Sequence, residues 1–286
     1  MRSPALFTPL AMLAFAGNSL LCRTALRTTG IDPAAFTAAR IASGALVLWL
    51  LVRLRASERS PPASAGNWPS ALALFGYAAA FSFAYVGLPA GTGALLLFGA
   101  VQATMILWGL SAGERFDAIQ ITGLIAALGG LVALVLPGLA APPLGRALLM
   151  LGAGVAWGVY SLRGRGTADP LAATAGNFAR AVPFAALLVL TSFASLRPDR
   201  LGFLYAALSG ALASGVGYAL WYTALRDLTA TRAAVVQLSV PVLAAAGGIA
   251  FLGEPLTLRL VSASTLVLGG IALVIVERGR ARTGRT

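Results

Sequence analysis

Ten stretches of almost unbroken apolar character alternate with short polar connections, over approximately residues 5–25, 34–52, 69–88, 90–111, 118–137, 146–163, 170–192, 201–222, 229–252 and 258–276. Crossing the hydrocarbon core of a bilayer takes about 20 mostly apolar residues in a helix, so each stretch predicts one transmembrane helix. The third and fourth runs are continuous in hydropathy. They are divided at Leu88–Gly93, "LPAGTG", where Pro89 and two glycines break a helix. The longest connection, "RLRASERSPPASAGN", is too short for a folded domain. The pattern predicts an all-α integral membrane protein, a single transmembrane domain over 1–286.

Composition strengthens that expectation. The chain is 58% hydrophobic and 10% charged, with a mean hydropathy of +0.85, whereas a soluble domain is usually about 25% charged. The net charge of +12 comes from 21 basic residues, all arginine. These are strung between the apolar runs rather than gathered on one face, which argues against nucleic acid as a partner. Threading ten helices from a cytoplasmic N-terminus places thirteen arginines inside. It places six outside: Arg23, Arg27, Arg146, Arg197, Arg200 and Arg259. That bias predicts both termini in the cytoplasm of a cell (inner/plasma) membrane protein. The first run follows a single arginine and lacks a clear cleavage site, so it is expected to be the first helix rather than a removed signal. There is no histidine, and Cys22 is the single cysteine. This excludes an internal disulfide and leaves no expected metal site or cofactor.

The chain also repeats itself. At a constant offset of 140, Ala16 matches Ala156, Arg23 matches Arg163, and Arg40 matches Arg180. "GE" at Gly113–Glu114 returns at Gly253–Glu254, and "LGG" at Leu128–Gly130 returns at Leu268–Gly270. Each half (5–137 and 146–276) holds five helices, and an odd number of spans inverts the second half. Inverted repeats characterise many secondary transporters, with substrate held near the midplane between the halves.

These features resemble the EamA-type members of the drug/metabolite transporter superfamily over essentially the full length. The resemblance rests on the paired five-helix repeats and on the arginine in the second helix of each half ("AAFTAAR", "GNFAR"). It also rests on "GERF" and "GEPL" between the fourth and fifth helices, and on "GG" midway through each fifth helix. "FAGNSLLCR" and "GVAWGVYSLRGR" resemble the first helix of each repeat. "LSVP" at Leu238–Pro241 matches the ninth, while its counterpart "FGAV" at Phe98–Val101 lacks the proline. The resemblance implies a central cavity lined by helices one, three, four, six, eight and nine. It also implies alternating access and export as the direction, and it does not specify a substrate.

The candidate chemistry is sparse. All nine acids lie in predicted loops or at helix ends, so drug/proton antiport through an intramembrane carboxylate is not expected. Acid–base hydrolysis is equally remote, and the protein is expected not to be an enzyme. Arg40 and Arg180 lie inside predicted helices, where a charge at the bilayer centre costs about 2.5–3.5 kcal/mol. Each either attracts an anionic substrate group or hydrogen-bonds backbone carbonyls to brace the repeats. Asn177 shares the helical face of Arg180. Asn18 is the polar candidate of the first helix. Tyr85, Trp157, Tyr160 and Tyr218, with Gln102 and Gln237, form an aromatic and amide set suited to a small substrate. Trp68, Trp108 and Tyr222, nearer helix ends, are expected to be interfacial anchors. Glu114 and Glu254 are expected to cap or orient the helix that follows each, and the paired glycines to allow close helix approach.

The expected function is secondary transport of a small polar or amphipathic metabolite such as an amino acid, with export the direction the resemblance implies. The expected partners are that substrate and membrane lipid, with the protein a monomer or homodimer. Broad efflux of hydrophobic compounds and a non-transporting membrane enzyme or scaffold are the alternatives. The last requires a polar catalytic cluster at one membrane face, and the sequence contains none.

Overall fold

A computed structural model describes residues 4–55, 65–113, 116–138, 141–165, 167–192, 197, 199–225, 228 and 230–283. Among them every regular element is helical. Ten helices follow in order: α1 (Pro4–Thr28), α2 (Pro33–Arg55), α3 (Trp68–Tyr85), α4 (Ala90–Ser111), α5 (Ala118–Val135), α6 (Leu144–Arg163), α7 (Pro170–Thr191), α8 (Arg200–Leu225), α9 (Ala230–Gln237 continuing as Ser239–Leu252) and α10 (Leu258–Thr283). Nine of these are long and apolar enough to cross a membrane. The remaining one, α3, is diluted by its two tyrosines, Trp68 and Pro69, and packs between α6, α7 and α2. Large apolar side chains such as Trp49, Leu72, Leu187 and Phe251 project outward around the bundle, as lipid-facing surface requires.

Helix ends follow from local chemistry. Asp32, Asn67, Asp117, Asp169 and Asp199 each precede a helix and accept from its first-turn amides. Such caps satisfy donors that the helix itself leaves open. Two of them also reach across. Asp199 Oδ2 accepts from Gly30 N at 3.2 Å, and Asp32 Oδ2 accepts from Arg197 N at 3.2 Å. The α1–α2 and α7–α8 connections therefore clasp each other. Amide donation from Gly202, then Gly30, holds the Asp199 carboxyl below its ordinary pKa.

Two spans depart from regular helix. In α9 the interruption falls at Leu238, three residues before Pro241. Proline lacks the N–H that would bind the carbonyl four residues back, at Gln237. The counterpart α4, with Val101 in place of that proline, runs unbroken. In α8, Ser209–Val216 forms a π-helix. This small-residue segment lies directly on α2: a Cβ on Gly210 would collide with the Arg40 carbonyl and the Ser43 hydroxyl. Glycine is what permits that approach.

The close pairings are α2 with α7, α5 with α10, α3 and α4 with α6, and α1 with α8 and α9. In α5 and α10 the crossing is tightest where Gly123 meets the Gly270 carbonyl, and Gly270 the Gly123 carbonyl. The second glycine of each "LGG" is also at the contact, Gly130 against Leu266 and Val267 and Gly270 against Gly123. Gly129 and Gly269 face open space.

Candidate functional site

A cavity of about 690 Å³ lies within the bundle, inside the ~300–1,000 Å³ range of small-molecule sites. Its inner wall is aromatic. Trp157 of α6 stacks on Tyr218 of α8 (5.4 Å between centroids), and Tyr218 stacks on Tyr222 one turn on (6.0 Å). Phe15 of α1 packs edge-on against Tyr218 and Trp221. Polar groups converge from other helices: Gln102 on α4, Gln237 on α9, and Asn177 and Thr174 on α7. Thr174 bridges the hydroxyls of Tyr160 (3.3 Å) and Tyr222 (3.0 Å), and Asn177 Nδ2 donates to Tyr160 at 3.4 Å. These bonds lock the rings in place and leave Gln102 and Gln237 on the cavity wall.

The cavity continues to Asn67, Ser70, Arg163, Gly164 and Arg165, all of them exposed except Ser70. It opens on the face where α6 ends and α3 and α7 begin. Arg163 stands at this mouth and donates to Ser70 Oγ (3.1 Å) and Asn67 Oδ1 (3.3 Å).

The opposite face is sealed. Arg23 near the end of α1 pairs with Glu254 at 3.1 Å and donates to the carbonyls of Tyr85 and Val86. Glu254 Oε2 accepts from Ala90 N at 2.7 Å, the first amide of α4. Glu254 thus caps α4, not the helix that follows it in sequence. Helix α4 starts after Pro89, which offers no side-chain cap, and the folded chain brings the carboxylate to that bare end. Glu114, its counterpart, lies outside the described residues, as does the 56–64 connection. On the same face Arg27 donates to Leu252 O (2.7 Å), Arg146 to Phe83 O (2.6 Å), and Arg259 to the carbonyls of Leu134 and Leu136. Four arginines thus satisfy carbonyls at or near helix C-termini, where the macrodipole favours a cation.

The candidate residues divide into three groups. Gln102, Trp157, Tyr160, Asn177, Tyr218 and Gln237 line the cavity together. Asn18 and Arg40 lie behind its aromatic wall. Arg40 Nη2 donates to the Tyr77 hydroxyl at 2.8 Å, and Asn18 Nδ2 donates to the same oxygen at 3.3 Å. The Tyr77 ring in turn meets Trp157 edge-on at 4.5 Å. Tyr85 and Arg180 stand apart. Tyr85 is fully buried, its hydroxyl donates to Ala90 O, and its ring fills the space left by Gly93.

Arg180 donates to Ala65 O (2.7 Å) and Gly176 O (3.0 Å), so it braces the chain before α3 against α7 and is not on the cavity wall. Charge-assisted bonds contribute about 1.5–3 kcal/mol each. Arg180→Ala is expected to lower the thermal midpoint in detergent, with Arg180→Lys intermediate. An unchanged midpoint in both would remove the bracing role.

Tyr222 is a correction. Its place near the end of α8 suggested an anchor, yet it is part of the cavity wall, because α8 begins and ends beyond the expected limits. Thr174, Phe15 and Ser209 were missed. Thr174 was recoverable, since it sits one turn before Asn177 on one face. Phe15 and Ser209 carry no such mark in the sequence. Trp68 and Trp108 are exposed, consistent with anchoring.

This arrangement, a bundle of apolar helices around a one-sided aromatic and amide cavity, defines a multi-pass membrane transporter. The sequence pattern of the EamA-like transporter family matches residues 145–276. An uncharacterized transporter of Archaeoglobus fulgidus is 30% identical over 73% of this chain and 77% of its own. A second one from that organism is 26% identical over 84% and 86%. An uncharacterized protein of Pseudomonas aeruginosa is 61% identical over 98% of this chain and 97% of its own. A solved crystal structure superposes with a TM-score of 0.66 at 20% identity, covering 96% of this chain and 98% of that one. The chain belongs to the EamA-like transporter family of the drug/metabolite transporter superfamily.

Proposed function

We propose that the protein is a secondary transporter of the cytoplasmic membrane that exports a small amphipathic metabolite, of amino-acid size, by alternating access. The observation that carries this reading is the one-sided cavity. It has aromatic walls and amide groups inside, an open mouth at Arg163 and Arg165, and a latch at Arg23–Glu254 on the other face. Amides at Gln102, Gln237 and Asn177 favour a substrate with polar groups over indiscriminate uptake of hydrocarbon. The pairings of α2 with α7 and α5 with α10 relate equivalent helices of the two halves and support the inverted-repeat reading. Under the arginine bias of the connections, the open mouth faces the cytoplasm, where an exporter loads.

The test of function is thermal-shift screening of the purified protein against a metabolite library, followed by flux of each hit from proteoliposomes. Ligands that stabilise the protein yet are never moved would reduce it to a binding protein. The orientation is tested separately. Alkaline phosphatase fused to the C-terminus is expected to be inactive in a Gram-negative host, and strong activity there would invert the assignment of loading side.

A further inference from the structure

The Arg40 side chain is 2% exposed, and one of its terminal nitrogens, Nη1, is buried without a hydrogen-bond partner. Its repeat counterpart Arg180 spends its charge on two carbonyls; Arg40 has none of these. Among the described residues no carboxylate lies within ion-pair distance of Arg40: the described salt bridges are Arg23–Glu254 and Arg55–Asp169. The guanidinium instead lies against two neighbouring rings, 5.1 Å from the Tyr77 centroid and 4.8 Å from that of Phe81. Cation–π contact stabilises the charge and leaves the Nη1 donors unanswered. A buried unpaired cationic donor is among the costlier features a membrane protein can carry, and it marks a functional site by default.

The neighbours of Arg40 point the same way. Tyr77 Oη accepts from both Arg40 and Asn18, so its own proton remains to be donated. The Asn18 carbonyl, the nearby acceptor, is already engaged by Ser209 Oγ at 2.6 Å. The cluster thus holds the Arg40 Nη1 donors and the Tyr77 proton without a described acceptor. Ser209 opens the π-helical segment of α8, and π segments recur at functional sites because they widen the local helix. Only Tyr77 separates Arg40 from Trp157, a cavity-wall ring.

We propose that Arg40, with Tyr77 and Asn18, is the receptor for one small anionic group, either the carboxylate of the transported molecule or a halide that accompanies it. This deepens the transport reading by giving the substrate class: a molecule moved together with a single negative charge. An anion at Nη1 neutralises the buried cation, takes the Tyr77 proton as a second bond, and forms no covalent bond.

The test uses the purified full-length protein in detergent and needs no flux, so it stands or falls apart from the transport reading. The probes are sodium acetate and sodium chloride, each titrated against sodium isethionate, whose anion is too bulky for a one-group receptor. At about 100 mM, acetate or chloride is expected to raise the thermal midpoint by roughly 2–4 °C. Arg40→Gln is expected to abolish that rise, and Arg40→Lys to retain part of it. Tyr77→Phe, which keeps the ring and removes only the hydroxyl, is expected to reduce it and serves if Arg40→Gln does not fold. A larger response to acetate identifies the substrate carboxylate as the source, and a larger response to chloride identifies the halide. No rise with either anion, or a rise undiminished in both Arg40→Gln and Tyr77→Phe, overturns the proposal.

Discussion

Alanine at Trp157 or Tyr218 is expected to reduce flux of the transported compound by about tenfold or more, with expression and fold intact. Trp157 sits at the junction of the site. It stacks on Tyr218, meets Tyr77 and Tyr160, and presents its remaining surface to the cavity. Burying an aromatic face against a ligand contributes about 1.5–3 kcal/mol, which is roughly tenfold to a hundredfold in apparent affinity. Trp68 provides the control. It is 55% exposed and packs edge-on against Phe184 at the bundle surface, so Trp68→Ala is expected to leave flux within about twofold. Transport assays on the three variants at matched expression decide the matter. Equal damage from Trp68→Ala would return these rings to the role of membrane anchors.

Breaking the Arg23–Glu254 pair is expected to open the sealed face. The pair ties α1 to the α9–α10 connection, while the other contacts of the same two residues reach the end of α3 and the start of α4. One ion pair therefore joins contacts from α1, α3, α4 and the α9–α10 connection, beside the carbonyl bonds of Arg27, Arg146 and Arg259 on the same face. Cys22, the adjacent residue, is the single cysteine of the chain and is fully buried, so it reports opening without any engineered label. In Glu254→Gln the single amide oxygen accepts from Arg23 or from Ala90 but not from both, and the charge is lost. A shift of about 1.4 kcal/mol toward the open form is a tenfold change in population. Maleimide labelling of Cys22 is expected to accelerate by about that factor, and Arg23→Gln to act in the same direction. If labelling stays at the wild-type rate while the thermal midpoint falls, the pair is a static brace and the gate lies elsewhere.

Much of the architecture is legible in the sequence because a bilayer imposes one-dimensional rules. Each apolar run must be a helix long enough to satisfy its own backbone, and the helices occur where the runs are, with α3 ending three residues early and α10 continuing seven residues past its run. That stop has a local cause, since Pro89 lacks the N–H that the Tyr85 carbonyl would accept from, and Arg23 donates to the carbonyls left open at Tyr85 and Val86. The repeat at offset 140 identified equivalent residues but not equal fates. Arg40 and Arg180 share the offset of 140, yet one is buried against two rings and the other binds the chain before α3. Their difference arises from neighbours many tens of residues away, which no local pattern encodes.

The candidate site divides along the same line. Gln102, Gln237, Trp157 and Tyr218 were legible because polar and aromatic residues deep in an apolar run have little reason to face lipid. Tyr85 shares that description and is a packing residue, because Gly93 left a ring-sized space beside it. By itself the sequence determined the membrane setting, the helices, the family and the scarcity of acids, all properties set by composition and period along one strand of chain. Only the tertiary structure decided which face is open, that Glu254 caps α4 across 164 residues, and that Arg40 retains an unanswered donor. These depend on which side chains of different helices meet, and helix packing in a membrane is settled by shape and residual polar bonds rather than by hydrophobic pattern.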